Sequence, residues 1–295
     1  MAEIIQKDGT WTFDGETVRV VPGSDKAVGL LRRTLGELAV PLEALAGVSF
    51  EPGKKSGRLR LRLRNGADPL LQITGSNLPD GSDPYQLAVE ADRTGTAEYF
   101  VDAVRQALML EQVSADPADR YLLPGPSLPI TVGAGDGTIA FDGEQIKLTW
   151  NWKTQESKAS GGPRTIAVED VEAVEWLPSS GLDSGYLRFT VTRSATTAPP
   201  KYDPHAVELW GFRKDPLMAL VAAAVVARLP HPYGGARSGP AAVLPAAPRS
   251  ADAPAGAEDP DALLRRLREL GELHRSGILT DEEFSTAKQA ILARL

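Results

Sequence analysis

The sequence predicts a mainly β protein with some helix (α+β), in which two tandem copies of one small domain precede a short helical tail. Three observations carry this prediction. A segment that begins at Asp8 returns at Asp136, 128 residues further on, a spacing that is too long for a solenoid repeat and fits a duplicated domain. Each copy contains short runs of alternating apolar and polar residues and then changes to a helical pattern. A helical leucine pattern follows a Pro-, Ala- and Gly-rich stretch at the end of the chain.

The two copies match in several motifs that keep the same order. Residues 8–16 read DGTWTFDGE and residues 136–144 read DGTIAFDGE. The apolar positions Val40, Leu42, Leu45, Val48, Phe50 and Pro52 match Ile166, Val168, Val171, Val174, Trp176 and Pro178, then GRLRL at 57–61 matches GYLRF at 185–189, and Asp83-Pro84-Tyr85 matches Asp203-Pro204-His205. We therefore predict a first repeat over residues 1–115 and a second over residues 130–230.

Each repeat is predicted to contain antiparallel strands closed by one helix. An Asp-Gly pair between alternating apolar positions indicates a hairpin turn, at Asp14-Gly15 and again at Asp142-Gly143. Further β-patterned runs are 48–50, 59–63 and 70–73 in the first copy, and 174–176, 187–191 and 207–210 in the second. The closing helices are predicted from a face shared by Tyr99, Phe100, Ala103, Val104, Ala107 and Leu108, and from a run over 217–229 capped by Asp215-Pro216. This order is typical of a small curved sheet or partial barrel plugged by its helix.

Composition excludes several classes of function. A net charge of −7 argues against a chain-wide nucleic-acid binder, and the lack of cysteine excludes disulfides, thiolate metal sites and cysteine nucleophiles. The N-terminus lacks the pattern of a signal peptide. The longest apolar stretch, residues 217–226, is shorter than the ~20 residues needed to cross a bilayer. We expect a cytoplasmic protein.

The C-terminal part is predicted to be a linker followed by a helical hairpin. Residues 231–259 carry mostly Pro, Ala, Gly and Ser and are predicted to be disordered, and residues 260–295 have two helical stripes separated by the capping box that Thr280 and Glu283 form. A hairpin of this size needs another surface to bury its leucines. The candidate oligomerisation or docking residues are Leu263, Leu267, Leu270, Phe284, Ile291 and Leu292.

Two resemblances to known families follow from these motifs. The tail, with GILTDEEF at residues 277–284 after its leucines, resembles the SHOCT (short C-terminal) domain. The duplicated motif with Asp-Gly-Thr before Phe-Asp-Gly resembles the domain of unknown function family 4429, known from actinobacteria and similar to pleckstrin-homology-like folds. Together the resemblances imply two tandem pleckstrin-homology-like domains with a role in protein interaction or oligomerisation. They imply no catalytic residues.

The most informative candidate site is a row of basic residues in the first repeat. Arg58, Arg60, Arg62 and Arg64 alternate with leucines, which places four guanidiniums on one face of a strand, and Lys54 and Lys55 stand just upstream. These residues are our candidate anion-binding site, because guanidiniums bind the oxygens of phosphate and other polyanions in a bidentate way. The alternative, which we favour for an acidic protein, is a solvated sheet face whose arginines pair with cross-strand carboxylates. The second copy keeps only Arg188 in this row.

Other motifs have mainly structural interpretations. The glycine-rich residues 133–137 lack the setting of a phosphate loop, so we predict a linker that feeds a hairpin. Asp80 and Asp83 are predicted to shape a turn rather than to bind calcium. The three histidines are far apart in the sequence and suggest no metal cluster: His205, His231 and His274. Three tryptophans are either core residues or the lining of a pocket: Trp150, Trp152 and Trp176.

The sequence favours a non-enzymatic binding or scaffold protein. Its tandem modules would recognise proteins, and the C-terminal hairpin would self-associate or dock on a partner; no cofactor, metal or nucleic acid is expected. The alternative is an anion or lipid-headgroup binder that acts through the Arg58–Arg64 face, with peripheral membrane contact. An enzyme would require a pocket with converging polar groups and perturbed pKa values.

Overall fold

A computed structural model describes residues 1–234 except 76, 182, 193–195 and 197. The chain divides into two compact units, residues 1–240 and 241–295, and the described residues lie in the first. Most of the predicted linker and the whole predicted hairpin, including Leu263, Leu267, Leu270, Phe284, Ile291 and Leu292, therefore lie outside the described residues.

The first repeat contains seven strands and three α-helices. The elements are β1 (Ala2–Ile5), β2 (Gly9–Phe13), β3 (Thr17–Pro22), α1 (Leu30–Leu35), β4 (Leu38–Pro41), β5 (Leu45–Glu51), β6 (Ser56–Leu63), α2 (Pro69–Thr74), β7 (Gln86–Glu90) and α3 (Thr94–Leu110). β1 to β4 form one antiparallel sheet in sequence order, and β5 to β7 form another. Between these sheets and α3 lies an apolar core that includes the fully buried Trp11 and Phe100, whose ring centroids are 6.2 Å apart.

The second repeat reproduces this order of strands. Its elements are β8 (Ile130–Ala134), β9 (Gly137–Phe141), β10 (Gln145–Trp150), α4 (Glu156–Ala159), β11 (Arg164–Ala167), β12 (Val171–Leu177), β13 (Gly185–Val191), β14 (Ala206–Leu209) and α5 (Met218–Val226). β8 to β11 form a four-stranded sheet and β12 to β14 a three-stranded sheet, both antiparallel. The described residues are thus mainly antiparallel β-sheet with a few helices, and their strands form no closed barrel.

The predicted Asp-Gly turns are confirmed in both copies. Gly15 has a φ of +115° and Gly143 a φ of +117°, a region that glycine adopts without strain. The carboxylate of Asp14 accepts hydrogen bonds from two following backbone N–H groups, and the carboxylate of Asp142 does the same in the second copy. These bonds stabilise the charged form and lower the pKa of both aspartates.

An aspartate at equivalent positions joins the two sheets in each repeat, a link that no sequence pattern indicates; Asp136 is buried and Asp8 is partly buried. In the first, Asp8 accepts a hydrogen bond from the backbone N–H of Ala88 in β7 and pairs with Arg32 of α1 at 2.9 Å. In the second, Asp136 accepts from the backbone N–H of Glu208 in β14 at 2.8 Å and pairs with the buried Lys158 of α4. The repeated aspartate thus binds one strand of the opposite sheet and one cation from the helix after the third strand.

The strand predicted over 70–73 is wrong. These residues belong to α2, and the third strand of that sheet is β7 instead. The carboxylate of Asp68 accepts hydrogen bonds from the backbone N–H groups of Leu70 and Leu71, and Pro69 occupies the first helical turn, so the local sequence caps a helix. A short apolar run does not distinguish a buried helix from a strand, and the cap decides between them here.

The cap of α2 is itself buried. Asp68 also accepts a hydrogen bond of 2.7 Å from the hydroxyl of Tyr85, which lies just before β7. Burial raises the pKa of the Asp68 carboxyl and, together with the neighbouring carboxylate, raises the pKa of Tyr85 well above its usual range. The side chain therefore ties the start of α2 to the edge of the three-stranded sheet.

The two closing helices are confirmed, with two corrections. In α3 the buried face consists of Ala97, Phe100, Val101 and Val104, while Tyr99, which was predicted on this face, is exposed. Asp215 does not cap α5. Its carboxylate turns back and accepts hydrogen bonds from the backbone N–H groups of residues 210, 211 and 212, because these three donors converge on it in the loop after β14.

The two repeats pack together through helices. All nine residues of α5 are buried, and a helix that is apolar on every side must be covered on every side. Its own β-sheets cover part of it, and α2 of the first repeat packs against it as well. Leu31 and Leu70 of the first repeat accordingly belong to the apolar core of the second.

The segment between the repeats also packs on the first of them. Ala118 and Leu123 are buried in the first core, and their backbone N–H groups bind the carbonyls of Asn65 and Ala67. After α5, the ring of His231 lies 2.9 Å from the carbonyl oxygen of Gly66 and edge-on to Tyr121, at the start of the predicted linker. None of the helices in the described residues is long and apolar enough to cross a membrane.

Candidate functional site

The basic row predicted from sequence lies on the outer side of β6. The alternation is complete, since the leucines of β6 face the core and Arg58, Arg60 and Arg62 are exposed. Lys54 and Lys55 are exposed in the turn between β5 and β6. The arginines share a face but do not share a role, because each has different partners.

Two arginines of the row are paired with acidic side chains. Arg58 forms an ion pair of 2.8 Å with Asp80. Arg60 donates a hydrogen bond of 2.8 Å to the side chain of Gln86 and lies 3.8 Å from Asp83. Burial raises the pKa of Asp83, and the attraction of Arg60 opposes this shift. Part of the row therefore has carboxylate partners, although the two carboxylates come from the loop before β7 rather than from an adjacent strand.

Arg64, at the end of the row, holds the segment between the repeats. Its guanidinium donates to the backbone carbonyls of Asp116 at 2.8 Å, Glu43 at 2.9 Å and Pro117 at 3.4 Å. These contacts use most of its donors on the protein's own backbone. Arg64 therefore has a structural role, which distinguishes it from the other three arginines of the row.

Arg62 and Arg105 carry guanidiniums that have no carboxylate partner among the described residues. Arg62 donates one long hydrogen bond of 3.4 Å to the carbonyl of Ala46, and Arg105, from α3, donates one of 3.2 Å to the carbonyl of Val48. Both carbonyls belong to β5. The two side chains thus approach the same strand, one from the sheet and one from the helix, with most of their donors free for a ligand.

These residues line a groove of about 810 Å³ that is formed by β5, β6, α2 and α3. Arg60, Arg62 and Arg105 provide positive charge, and Asp80 and Asp83 provide negative charge. Part of the apolar lining comes from α2, the loop after it and α3, namely Leu71, Leu78, Leu108 and Met109. The sheet contributes Val48, Leu61 and Leu63. A volume of this size suits a small ligand or a few side chains of a partner.

The described residues of the second repeat place no matching set of free arginines at the equivalent positions. Arg188, the counterpart of Arg60, lies 2.9 Å from the fully buried carboxylate of Asp203 and donates a hydrogen bond of 2.7 Å to the carbonyl of Ala198. The duplicated Arg–Asp pair is therefore a shared structural feature that is tighter in the second copy. At the position of Arg62 the second copy has Thr190. The basic groove belongs to the first repeat.

Arg105 is the member of this groove that the sequence did not indicate. It lies on α3, 41 or more residues beyond the basic row, and only the packing of α3 against β5 brings it to the groove. Its position on the helix is the one available signal: it follows the buried Val104 and therefore stands beside the buried stripe rather than opposite to it.

The remaining sequence candidates are separate from the groove. The glycine-rich stretch 133–137 is the β8–β9 hairpin itself rather than a linker, since its residues belong to the two strands and their turn. Asp83 accepts a hydrogen bond from the backbone N–H of Tyr85 within a turn. Burial lowers the pKa of His205. His274 lies outside the described residues, and within the described part of the chain no cluster of acidic or histidine side chains could hold a metal ion.

The three tryptophans have three different environments. Trp150 is half-buried, donates a hydrogen bond of 2.9 Å to the carbonyl of Gly162 and lies under the ammonium of Lys158. Trp176 is buried and lines a cavity of about 150 Å³. Trp152 is 89% exposed. The structure places them in separate surroundings and does not combine them in the pocket that the sequence left open.

Comparison with protein-family models finds matches to both repeats and to the C-terminal tail. The model of the domain of unknown function DUF4429 matches residues 11–105 and 139–226, which is more than half of the chain. The chain belongs to this family. The short C-terminal domain, SHOCT, matches residues 265–292. The resemblance to both families is confirmed, and each DUF4429 region lies within one of the repeats. A comparison with curated proteins finds no match.

Proposed function

We propose that this DUF4429 protein is a non-enzymatic binding protein whose first repeat recognises a partner segment through the basic groove. The observation that carries the proposal is the pair Arg62 and Arg105, whose guanidiniums face the groove with one backbone acceptor each. Exposed guanidiniums beside apolar side chains are typical of protein-binding surfaces, where arginine is enriched. The ligand would present a carboxylate to these arginines and an apolar side chain to the walls formed by residues such as Leu108.

The charge of the groove favours a partner segment over a polyphosphate. Asp80 and Asp83 lie in the same lining as the arginines, so a ligand with several phosphates would meet two carboxylates as well. A segment with one or two acidic residues among apolar ones would match the mixed lining better. The pleckstrin-homology-like assignment of each repeat is part of the proposal, and the four-stranded sheet, three-stranded sheet and closing helix support it.

A peptide library tests the groove. We expect the wild-type chain to select peptides that have an acidic residue next to large apolar residues. Arg62→Ala and Arg105→Ala should each weaken the selected peptide by about 10- to 100-fold, because a hydrogen bond to a charged group contributes about 1.5–3 kcal/mol. The matched control is Arg19→Ala, an exposed arginine of the other sheet that pairs with Glu37. The measurement is the dissociation constant by fluorescence anisotropy.

The alternative, a lipid-headgroup site, is decided by a second arm of this experiment. If no peptide is selected, but the chain sediments with anionic phospholipid vesicles and releases steeply as salt rises, the headgroup function replaces the peptide function. Equal affinity of the Arg62→Ala, Arg105→Ala and Arg19→Ala variants for a selected peptide would remove the groove from the proposal altogether.

For the SHOCT domain we propose oligomerisation. Linking weak recognition modules through an oligomer raises their effective concentration, so modest groove affinity becomes useful avidity. Light scattering of the full chain should give an oligomer, and a truncation that ends at Pro240 should give a monomer. This truncation keeps His231 and Tyr233, which contact the first repeat or each other. A monomeric full chain would instead mean that the hairpin docks on its own protein or on another partner.

A further inference from the structure

The second repeat has a cluster of aromatic rings around the ammonium of Lys153. This nitrogen lies 5.4 Å from the ring centroid of Trp152, 5.3 Å from that of Trp210 and 5.2 Å from that of Phe212. All three distances are within the roughly 6 Å over which a cation is attracted to the face of an aromatic ring. No ion pair of Lys153 with a carboxylate occurs among the described residues. The aromatic rings are thus the main partners of this cation.

Two walls of this aromatic cage come from the loop after β14. Trp210 and Phe212 flank Gly211, whose φ of +85° allows the chain to turn sharply between them. The two rings are nearly perpendicular, with an angle of 89° and centroids 6.1 Å apart. The buried carboxylate of Asp215 accepts hydrogen bonds from the backbone N–H groups of all three residues, at 2.8, 2.8 and 3.1 Å. The corner formed by the rings is therefore held in place by the loop itself.

The third wall and the cation come from the turn after β10. The side chain of Asn151 accepts a hydrogen bond from the backbone N–H of Lys153 and donates one to the carbonyl of Gly135, both at 2.9 Å. The backbone of Asn151 also binds the carbonyl of Asp136, the buried aspartate that joins the two sheets. The turn that carries Trp152 is thus fixed to the β8–β9 hairpin before any ligand arrives.

The described part of the first repeat has no comparable cluster of rings. The register of the last two strands pairs Arg60 with Gln86 and its counterpart Arg188 with Ala206. When residues are counted along the last strand from these pairs, Trp210 and Phe212 correspond to Glu90 and Asp92. In the alignment of the motifs that begin at Asp8 and Asp136, Trp152 corresponds to Ser24. The aromatic residues of the cage are therefore present in the second copy only, and the exposure of Trp152 at 89% and Phe212 at 54% has no explanation in the packing of the core.

We propose that this cage binds a quaternary ammonium group, and that Lys153 occupies it until the ligand displaces it. A primary ammonium is strongly hydrated and binds best where a carboxylate is present, whereas a quaternary ammonium is weakly hydrated and is recognised by aromatic faces alone. The long, flexible side chain of Lys153 can leave the cage without any movement of the fixed backbone. This site goes beyond the proposed function, since it lies on the second repeat and selects the opposite charge.

Titration of the full chain with choline tests the proposal. We expect choline to bind, and its neutral isostere 3,3-dimethyl-1-butanol, which has the same shape without the charge, to bind at least tenfold more weakly. Lys153→Ala should tighten choline binding by roughly three- to sixfold, because it removes an internal competitor held by a contact of the strength typical at exposed sites. Trp152→Ala should weaken binding by about tenfold. The matched control is Lys147→Ala, an exposed lysine on β10.

The affinities are measured by isothermal titration calorimetry or by NMR shifts of the indole N–H groups. Trp152 and Lys153 are exposed, so their variants retain the fold and a loss of binding is informative. Equal binding of choline and its isostere would overturn the proposal, as would a Lys153→Ala variant that binds choline no better than Lys147→Ala does. Trimethyllysine is titrated in parallel. Binding of either cation more tightly than the neutral isostere supports the cage. A preference for choline identifies a lipid headgroup as the source of the ammonium, and a preference for trimethyllysine identifies a modified side chain.

Discussion

Lys158→Met is expected to lower the free energy of unfolding by about 3–5 kcal/mol, because it leaves the buried carboxylate of Asp136 without its cation. The ammonium of Lys158 and the carboxylate of Asp136 are 2.7 Å apart, and both side chains are almost completely buried. Burial lowers the pKa of Lys158 and raises that of Asp136, and their mutual attraction opposes both shifts. The loss would be a large share of the ~5–15 kcal/mol that stabilises a typical domain.

The pair is best measured as a double-mutant cycle by chemical denaturation. Asp136→Asn is also expected to be strongly destabilising, whereas the combination of Asp136→Asn with Lys158→Met removes both charges and should cost much less than the sum of the single changes. Lys7→Met is the control, since Lys7 pairs with Glu90 on the surface and should leave the midpoint unchanged. If Lys158→Met behaved like Lys7→Met, the buried pair would not hold the two sheets together.

The consequence of this pair extends to the aromatic cage. Asp136 binds the backbone N–H of Glu208, two residues before Trp210, and its carbonyl accepts from the backbone N–H of Asn151, next to Trp152. One buried residue thus contacts both chain segments that carry the cage. The duplicated Asp8 holds the corresponding segments of the first repeat, where no cage is present. The structural role of the aspartate is therefore shared by both repeats, whereas the aromatic side chains are present in the second alone among the described residues.

The parts of the fold that follow local rules could be predicted from the sequence. The Asp14-Gly15 turn needs only a hairpin and a residue that tolerates positive φ, and the alternation of arginine and leucine along β6 fixes which side faces water. The internal repeat added information that a single copy would not have provided. It placed β5 and β12 at equivalent positions, although their apolar patterns are short.

The parts that failed depend on contacts distant in sequence. The run at 70–73 has the residues of a buried strand, and its helical form follows from the cap at Asp68 together with the covering surface that α5 offers. β1 has only four residues, which show too little alternation to indicate a strand. Arg105 and the Trp152 cage each combine residues of separate elements, so no spacing along the chain could predict them. The repeated Asp8 and Asp136 were visible as a motif, but their carboxylates bind strands about 80 and 72 residues away.

Leu70→Ala in the first repeat is expected to destabilise the second repeat, with a loss of about 2–5 kcal/mol in the free energy of unfolding. Leu70 is 2% exposed and belongs to the apolar core of the second repeat, where α2 meets α5. Tryptophan fluorescence reports this effect selectively, because Trp11 lies in the first repeat and Trp150, Trp152, Trp176 and Trp210 lie in the second. The fluorescence transition in denaturant should therefore move to lower concentration, although the substitution is outside the second repeat.

The control for this experiment is Leu110→Ala, since Leu110 is 73% exposed at the end of α3 and its truncation creates no cavity. A fluorescence transition that is the same for Leu70→Ala and Leu110→Ala would mean that the repeats unfold independently and that α2 covers α5 only loosely. The expected result makes the two repeats one cooperative unit, because α5 is apolar on all sides and has no solvent-facing side of its own. The second repeat then depends on the first for the last part of its core, while the groove and the cage lie on separate repeats.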